Sequence, residues 1–216
     1  NLVEVKAILE RMTKRQIPLV LAHPSAEVRS VAYRYAPLAL TPTQIQKGLQ
    51  DPDEQVRLAV INREDLELTS RQFLEIIESS ELEIIDIASR KASIESIEES
   101  FKLADESLFV RVISQATKLT TDQVNRCLAD RRSEVALTAL KKISRKLTQG
   151  QVSIALQSTN PEVRRLAVNL FGVQRLSAKQ FASCLSDSDE MIRNLAVSCN
   201  LVKMSEYQIE QALTDH

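Results

Sequence analysis

The sequence predicts an all-α fold of about eight short helical hairpins, stacked side by side, and three observations carry that prediction. Thr or Ser followed three residues later by Gln recurs along the chain. Apolar residues flank each copy at the spacing of one helix face. Three Gly and six Pro in 216 residues, with aromatics at 4%, suit helices joined by short turns better than strands.

The copies start at Met12, Leu40, Leu68, Ile94, Leu119, Leu147, Leu176 and Met204, at intervals of 25 to 29 residues. Such a period holds two helices of roughly ten to twelve residues and their turns. The Ile94 copy is degenerate, and the Met204 copy is half-complete, ending at His216 after one helix. That end reads either as the cut edge of a longer array or as a capping helix, and residues 1–216 are expected to form one domain.

Each copy opens as a helix N-terminus. In Thr13/Gln16, Thr41/Gln44, Thr69/Gln72, Thr120/Gln123, Thr148/Gln151, Ser177/Gln180 and Ser205/Gln208 the hydroxyl accepts from the N3 amide while Gln reaches back to the cap amide. Only the Ile94 copy lacks this pair. Apolar residues before the cap and at N4, such as Leu40/Ile45 and Leu176/Phe181, form a hydrophobic staple. Leu49 and Leu185, four positions further on, extend the same face.

The second helix is expected to start near Asp51-Pro52, with Asp as cap and Pro at N1. Its stripe runs through Val28, Val56, Ile84, Val110, Val135, Val163 and Ile192. Four residues on lies a mostly small column, Ala32, Val60, Ala88, Ser114, Ala139, Ala167 and Ala196, which lets neighbouring helices approach and hairpins stack into one core.

An Asp followed six residues later by Arg stands at Asp51/Arg57, Asp105/Arg111 and Asp187/Arg193. His23/Arg29 and Ser158/Arg164 keep the Arg, Asp130/Ala136 keeps the Asp, and Ser79/Ile85 keeps neither. This pairing resembles the HEAT repeat family over residues 12–213, although the period here is shorter than the roughly 40 residues of that family. The resemblance implies a right-handed α-α superhelix and an internal ladder, made by Asp51, Arg57, Asp105, Arg111, Arg164, Asp187 and Arg193, that links adjacent hairpins. It also implies a curved surface for binding protein or nucleic acid.

Little in the chain suggests chemistry. Cys127, Cys184 and Cys199 show no C-x-x-C spacing, and Cys127 and Cys184 fall in a column of small fillers with Gly48 and Ala155. His23 and His216 are too few for a histidine metal site, and His23 replaces the capping Asp of other copies and reads as a surface turn residue. No carboxylate pair is singled out, and three scattered glycines make no phosphate cradle. Neither a catalytic residue, a metal nor a cofactor is therefore expected. No His-Glu pair exists, which weighs against the metal hydroxylases built on helical repeats. No apolar run of about 18 residues and no signal-peptide pattern is present, so a cytoplasmic protein that does not enter a membrane is expected.

Charge is uneven. Asp65 to Glu106 holds twelve acidic and four basic residues, and Arg111 to Gln151 nine basic and three acidic. The basic block includes Arg131, Arg132, Lys141, Lys142, Arg145 and Lys146. Phe109 and Met191 occupy a column filled elsewhere by Glu27, Gln55, Glu134 and Glu162, which makes them candidate exposed apolar contacts. The leading expectation is a non-catalytic scaffold that binds another protein, with the basic block docking an acidic surface. The alternative is a nucleic-acid binder resembling the HEAT-like DNA glycosylases and using residues 131–146. A pI of 6.2, the acidic stretch and the absence of Trp count against it.

Overall fold

The computed structural model describes residues 11–13, 15–36, 40–79 and 81–200, apart from the side chains at 79, 199 and 200. Among these residues are fourteen α-helices and no strand. They are α1 (Ile17–Leu21), α2 (Ala26–Tyr35), α3 (Pro42–Leu49), α4 (Glu54–Ile61), α5 (Ser70–Ser79), α6 (Leu82–Lys91) and α7 (Ile94–Ser100). There follow α8 (Glu106–Gln115), α9 (Thr121–Leu128), α10 (Ser133–Ile143), α11 (Gln149–Ala155), α12 (Pro161–Phe171), α13 (Ala178–Leu185) and α14 (Glu190–Asn200). Short 3-10 turns occupy Ser144–Lys146 and Val173–Arg175. The copy from Met204, with its Ser205/Gln208 pair, and the side chain of Cys199 lie outside the described residues.

The chain divides into two compact units, Asn1–Leu103 with Gln115–Thr117, and Ala104–Ser114 with Lys118–His216. In the first unit α1 and α2, α3 and α4, and α5 and α6 pack as hairpins; α1 also touches α3, and α4 touches both α2 and α6. The second unit repeats the scheme. Its hairpins are α9–α10, α11–α12 and α13–α14, with α9 against α11 and α12 between α10 and α14. First helices meet first helices and second helices meet second helices.

Local capping makes these short helices possible, because each would be marginal alone. Both halves of the box form at Thr41, Thr69, Thr120, Thr148 and Ser177. At Thr13 only the Gln half is made, the Thr13 amide donating to Gln16 Oε1 at 2.9 Å, and α1 starts late, at Ile17. The box also reaches outward: Gln180 Nε2 donates to Gln149 O and Ser153 Oγ of the preceding first helix at 2.7 and 2.8 Å.

The second helices begin two residues later than expected. Asp53, and not Asp51, caps α4, accepting from the amides of Gln55 and Val56; Asn160 caps α12 and Asp189 accepts from the Ile192 amide. Asp51 sits two residues before the cap, where its Oδ1 accepts the Asp53 amide. His23, Asp130, Ser158 and Asp187 make the same bond to the residue two positions on, which explains why such different acceptors share the column.

The fourth copy stands in a different frame from the one counted from Ile94. Ser93 caps α7 and accepts the Ser96 amide, so Ile94 is the first helical residue and Ile97 takes the buried N4 position. Asp105 caps α8, accepting the Leu108 amide. Both helices are thus two residues early, and the apolar stripe is Leu108 and Val112, with Val110 half-buried and Ser114 exposed.

This shift overturns two expectations. Phe109 is fully buried and no surface contact, because it lies at N4, the position of Arg57 in its own hairpin. Asp105 is a helix cap corresponding to Asp53, so in this copy the sequence positions of the ladder pair hold Leu103 and Phe109, each buried.

Elsewhere the small columns act as expected. A Cβ on Gly48 would lie 2.5 Å from Val60 Cγ2 and 2.7 Å from the Tyr33 ring, so the close approach of α3 to α2 and α4 requires glycine there. In the second unit Val168, Val173, Phe181, Cys184, Ile192 and Ala196 form a core that closes on Leu156, Leu176 and Leu185.

Candidate interaction surface

The arginines at N4 of the second helices join one hairpin to the next. Arg164 Nε and Nη2 fork onto the two oxygens of Asp187 at 2.8 and 2.7 Å, while Nη1 donates to Ser158 O and Thr159 O in its own turn. Arg29 does the same, forking onto Asp51 at 2.8 Å twice and donating to His23 O and Pro24 O. Arg57 donates to Asp51 O at 2.6 Å and pairs with Glu81 of the next hairpin. Arg193 donates to Asp187 O and Ser188 O. The side-chain partner of each Asp is therefore the Arg 22 or 23 residues earlier, while the Arg six residues later uses the Asp backbone carbonyl.

Burial alone would push the Asp51 and Asp187 carboxyls up, but the Arg29 and Arg164 guanidinium groups and a backbone amide hold both below the usual carboxylate range.

Arg132 serves a different version of this joint. Its Nε and Nη2 fork onto Asp130 at 2.9 and 2.8 Å, and its guanidinium carbon lies 4.7 Å from the centre of the Phe109 ring. The cation thus comes from the later hairpin and stacks on the residue that replaced the earlier hairpin's arginine.

A second brace lies at the opposite ends of these helices, and sequence reasoning missed it. Arg63 Nη1 donates to Tyr33 O at 2.6 Å, the Lys91 ammonium to Arg63 O, and Lys142 Nζ to Ser114 O at 2.8 Å. Each cation lies ten residues after its helix cap and meets the C-terminal carbonyls of the preceding second helix, where the dipole is negative. The signal was a basic residue at a fixed phase in three copies.

The six cations of the basic block are not brought together. Arg131 and Arg132 precede α10, whereas Lys141, Lys142, Arg145 and Lys146 lie at its other end, about 15 Å away at 1.5 Å per residue. Arg132 and Lys142 serve the joints just described. Arg131 is exposed and lines a cleft of about 210 Å³ with Gln157 and Thr159. Lys141, Arg145 and Lys146 are exposed, as is Met191 at 61%. Leu19, Leu82 and Ile94 are further exposed apolar residues, the last two because they begin helices of the acidic stretch.

Nucleophiles are poorly placed. Cys127 and Cys184 are fully buried, and burial pushes their thiols up to about 12 and about 11. A cleft between α3 and α5 holds Glu75, whose carboxylate is held low by Arg71 and Gln46. No group of three His, Cys, Asp or Glu side chains able to hold a metal occurs among the described residues, and no described helix is long and apolar enough to cross a membrane. Neither a protein-family model nor a curated protein matches the chain.

Proposed function

We propose that the protein is a non-catalytic, cytoplasmic scaffold, a HEAT-like solenoid of stacked hairpins that holds another protein on its exposed charged surface. The observation that carries this reading is the use of the recurring polar residues. Cap hydroxyls, box glutamines, ladder arginines and aspartates are each engaged in holding a helix or joining it to a neighbour. The cations that these bonds leave unengaged, among them Lys141, Arg145 and Lys146, differ between copies, as expected of a repeat array whose frame is constant and whose surface is specific. Affinity capture from the native host, followed by purification of the complex, tests it. One stoichiometric protein partner that survives purification is expected. A chain that recovers none, or that turns over a substrate, overturns the reading.

A further inference from the structure

Resting on that scaffold reading, we infer that the edge of the second unit where second helices end and first helices begin is its docking surface, and that it takes an acidic, extended segment of a partner protein. The edge carries Lys118 before α9, Lys141, Arg145 and Lys146 at the end of α10, Arg175 at the end of α12 and Lys179 in α13, all exposed. Asp122 is the acidic side chain that accompanies them in the first turn of α9. Lys118, Lys141, Arg145, Lys146 and Lys179 form no hydrogen bond or ion pair with any described residue, in contrast to the ladder cations.

These turns form one surface because their hairpins touch. The Ser144–Lys146 turn packs on α12, and Val173–Arg175 on α12 and α14. Adjacent packed helices lie 8–10 Å apart, so the three turns span roughly 20 Å, the length of about six residues of extended chain. The opposite edge offers a weaker field, since there Asp130 neutralises Arg132 and Asp187 neutralises Arg164, and exposed Arg131 stands next to Asp130 in the chain. A protein carboxylate segment fits better than a nucleic acid. Phe109, Phe171 and Phe181 are all buried, leaving no phenylalanine of the described unit for base stacking, and the chain's acidic stretch opposes a long polyanion.

The test is fluorescence anisotropy of the whole chain with a labelled Glu/Asp-rich peptide of about ten residues. Its Gln/Asn counterpart and a single-stranded oligonucleotide of equal charge are the comparators. The acidic peptide is expected to bind, the amide peptide not, with affinity falling about tenfold as salt rises toward ~0.3 M. Combined Lys141→Glu, Arg145→Glu and Lys146→Glu is expected to weaken binding at least about tenfold, and Arg131→Glu, off the edge, less than about twofold. The neutral Gln triple, with circular dichroism, guards against unfolding and is expected to weaken binding as well. No peptide binding at low salt, binding unchanged by the triple, or tighter binding of the oligonucleotide overturns the inference. If the captured partner binds the triple variant as well as the wild type, the edge falls and the scaffold reading stands; if the wild type captures no partner, the scaffold reading itself falls.

Discussion

Where α12 meets the next hairpin, Arg164 makes five hydrogen bonds, two to its own turn and three across the joint, of which two go to Asp187. Where α8 meets α10, the same position is Phe109, and the guanidinium arrives from the other side as Arg132. The polar joint draws strength from full satisfaction of a half-buried ion pair, whose charges would be costly if left alone. The other draws it from an apolar anchor, with the cation lying over the ring. Both keep a guanidinium forked on the aspartate that precedes the cap. What varies is which hairpin supplies it and what holds the backbone beneath it.

Removing the apolar anchor should cost most. Phe109→Ala is expected to lower stability by about 3–5 kcal/mol, read as a fall in the urea midpoint. Asp187→Ala leaves Arg164 facing an empty joint and should cost about 3 kcal/mol. Because the Asp187 folded pKa is depressed, its contribution is fully present above the unfolded value of about 3.9 and is lost as pH falls through the lower folded value. The gap between wild type and Asp187→Asn should therefore be constant near neutral pH and close below about pH 4. A gap that persisted at pH 2 would show that the pair matters through shape and not charge. Arg132→Ala should cost only about 1–2 kcal/mol, since Phe109 stays in place. Ser93→Ala, which removes the cap that sets the frame of α7, should cost about 1 kcal/mol. If Arg132→Ala proved as damaging as Asp187→Ala, the distinction between the two joints would collapse.

The parts of the fold legible in the sequence were those written within one helical turn. Thr120 and Gln123 announce a helix start three residues apart, and Val56 and Val60 a buried face four apart, so all-helical hairpins followed directly. Two things were not local. The partner of Asp51 is Arg29, in the previous hairpin, and a search within one copy finds Arg57 instead. The Ser93–Ser96 cap lacks the glutamine that marks the other copies, so the frame slipped by two residues and carried Phe109 onto the surface in the reading and into the core in the molecule. Of the candidate surface, the cations were visible as a run of charge, but their division between the two ends of α10 depends on where that helix begins and ends. Arg175 and Lys179, which complete the edge, lie outside the run, and Lys118 lies within it but apart from the block of six.

The ladder also has a direction. Arg29 belongs to a hairpin that leaves the ribosome before the one carrying Asp51, and its Nη1 bonds are all to its own turn, at His23 O and Pro24 O. The remaining fork points along the chain toward a carboxylate that is made 22 residues later. At 5–20 residues per second, that is a delay of roughly one to four seconds. In the Arg29 and Arg164 hairpins, then, the carbonyls that orient the guanidinium are made before the carboxylate it reaches for. An arginine placed in the later hairpin, as Arg132 is, reverses that order, so Phe109 must wait for its cation.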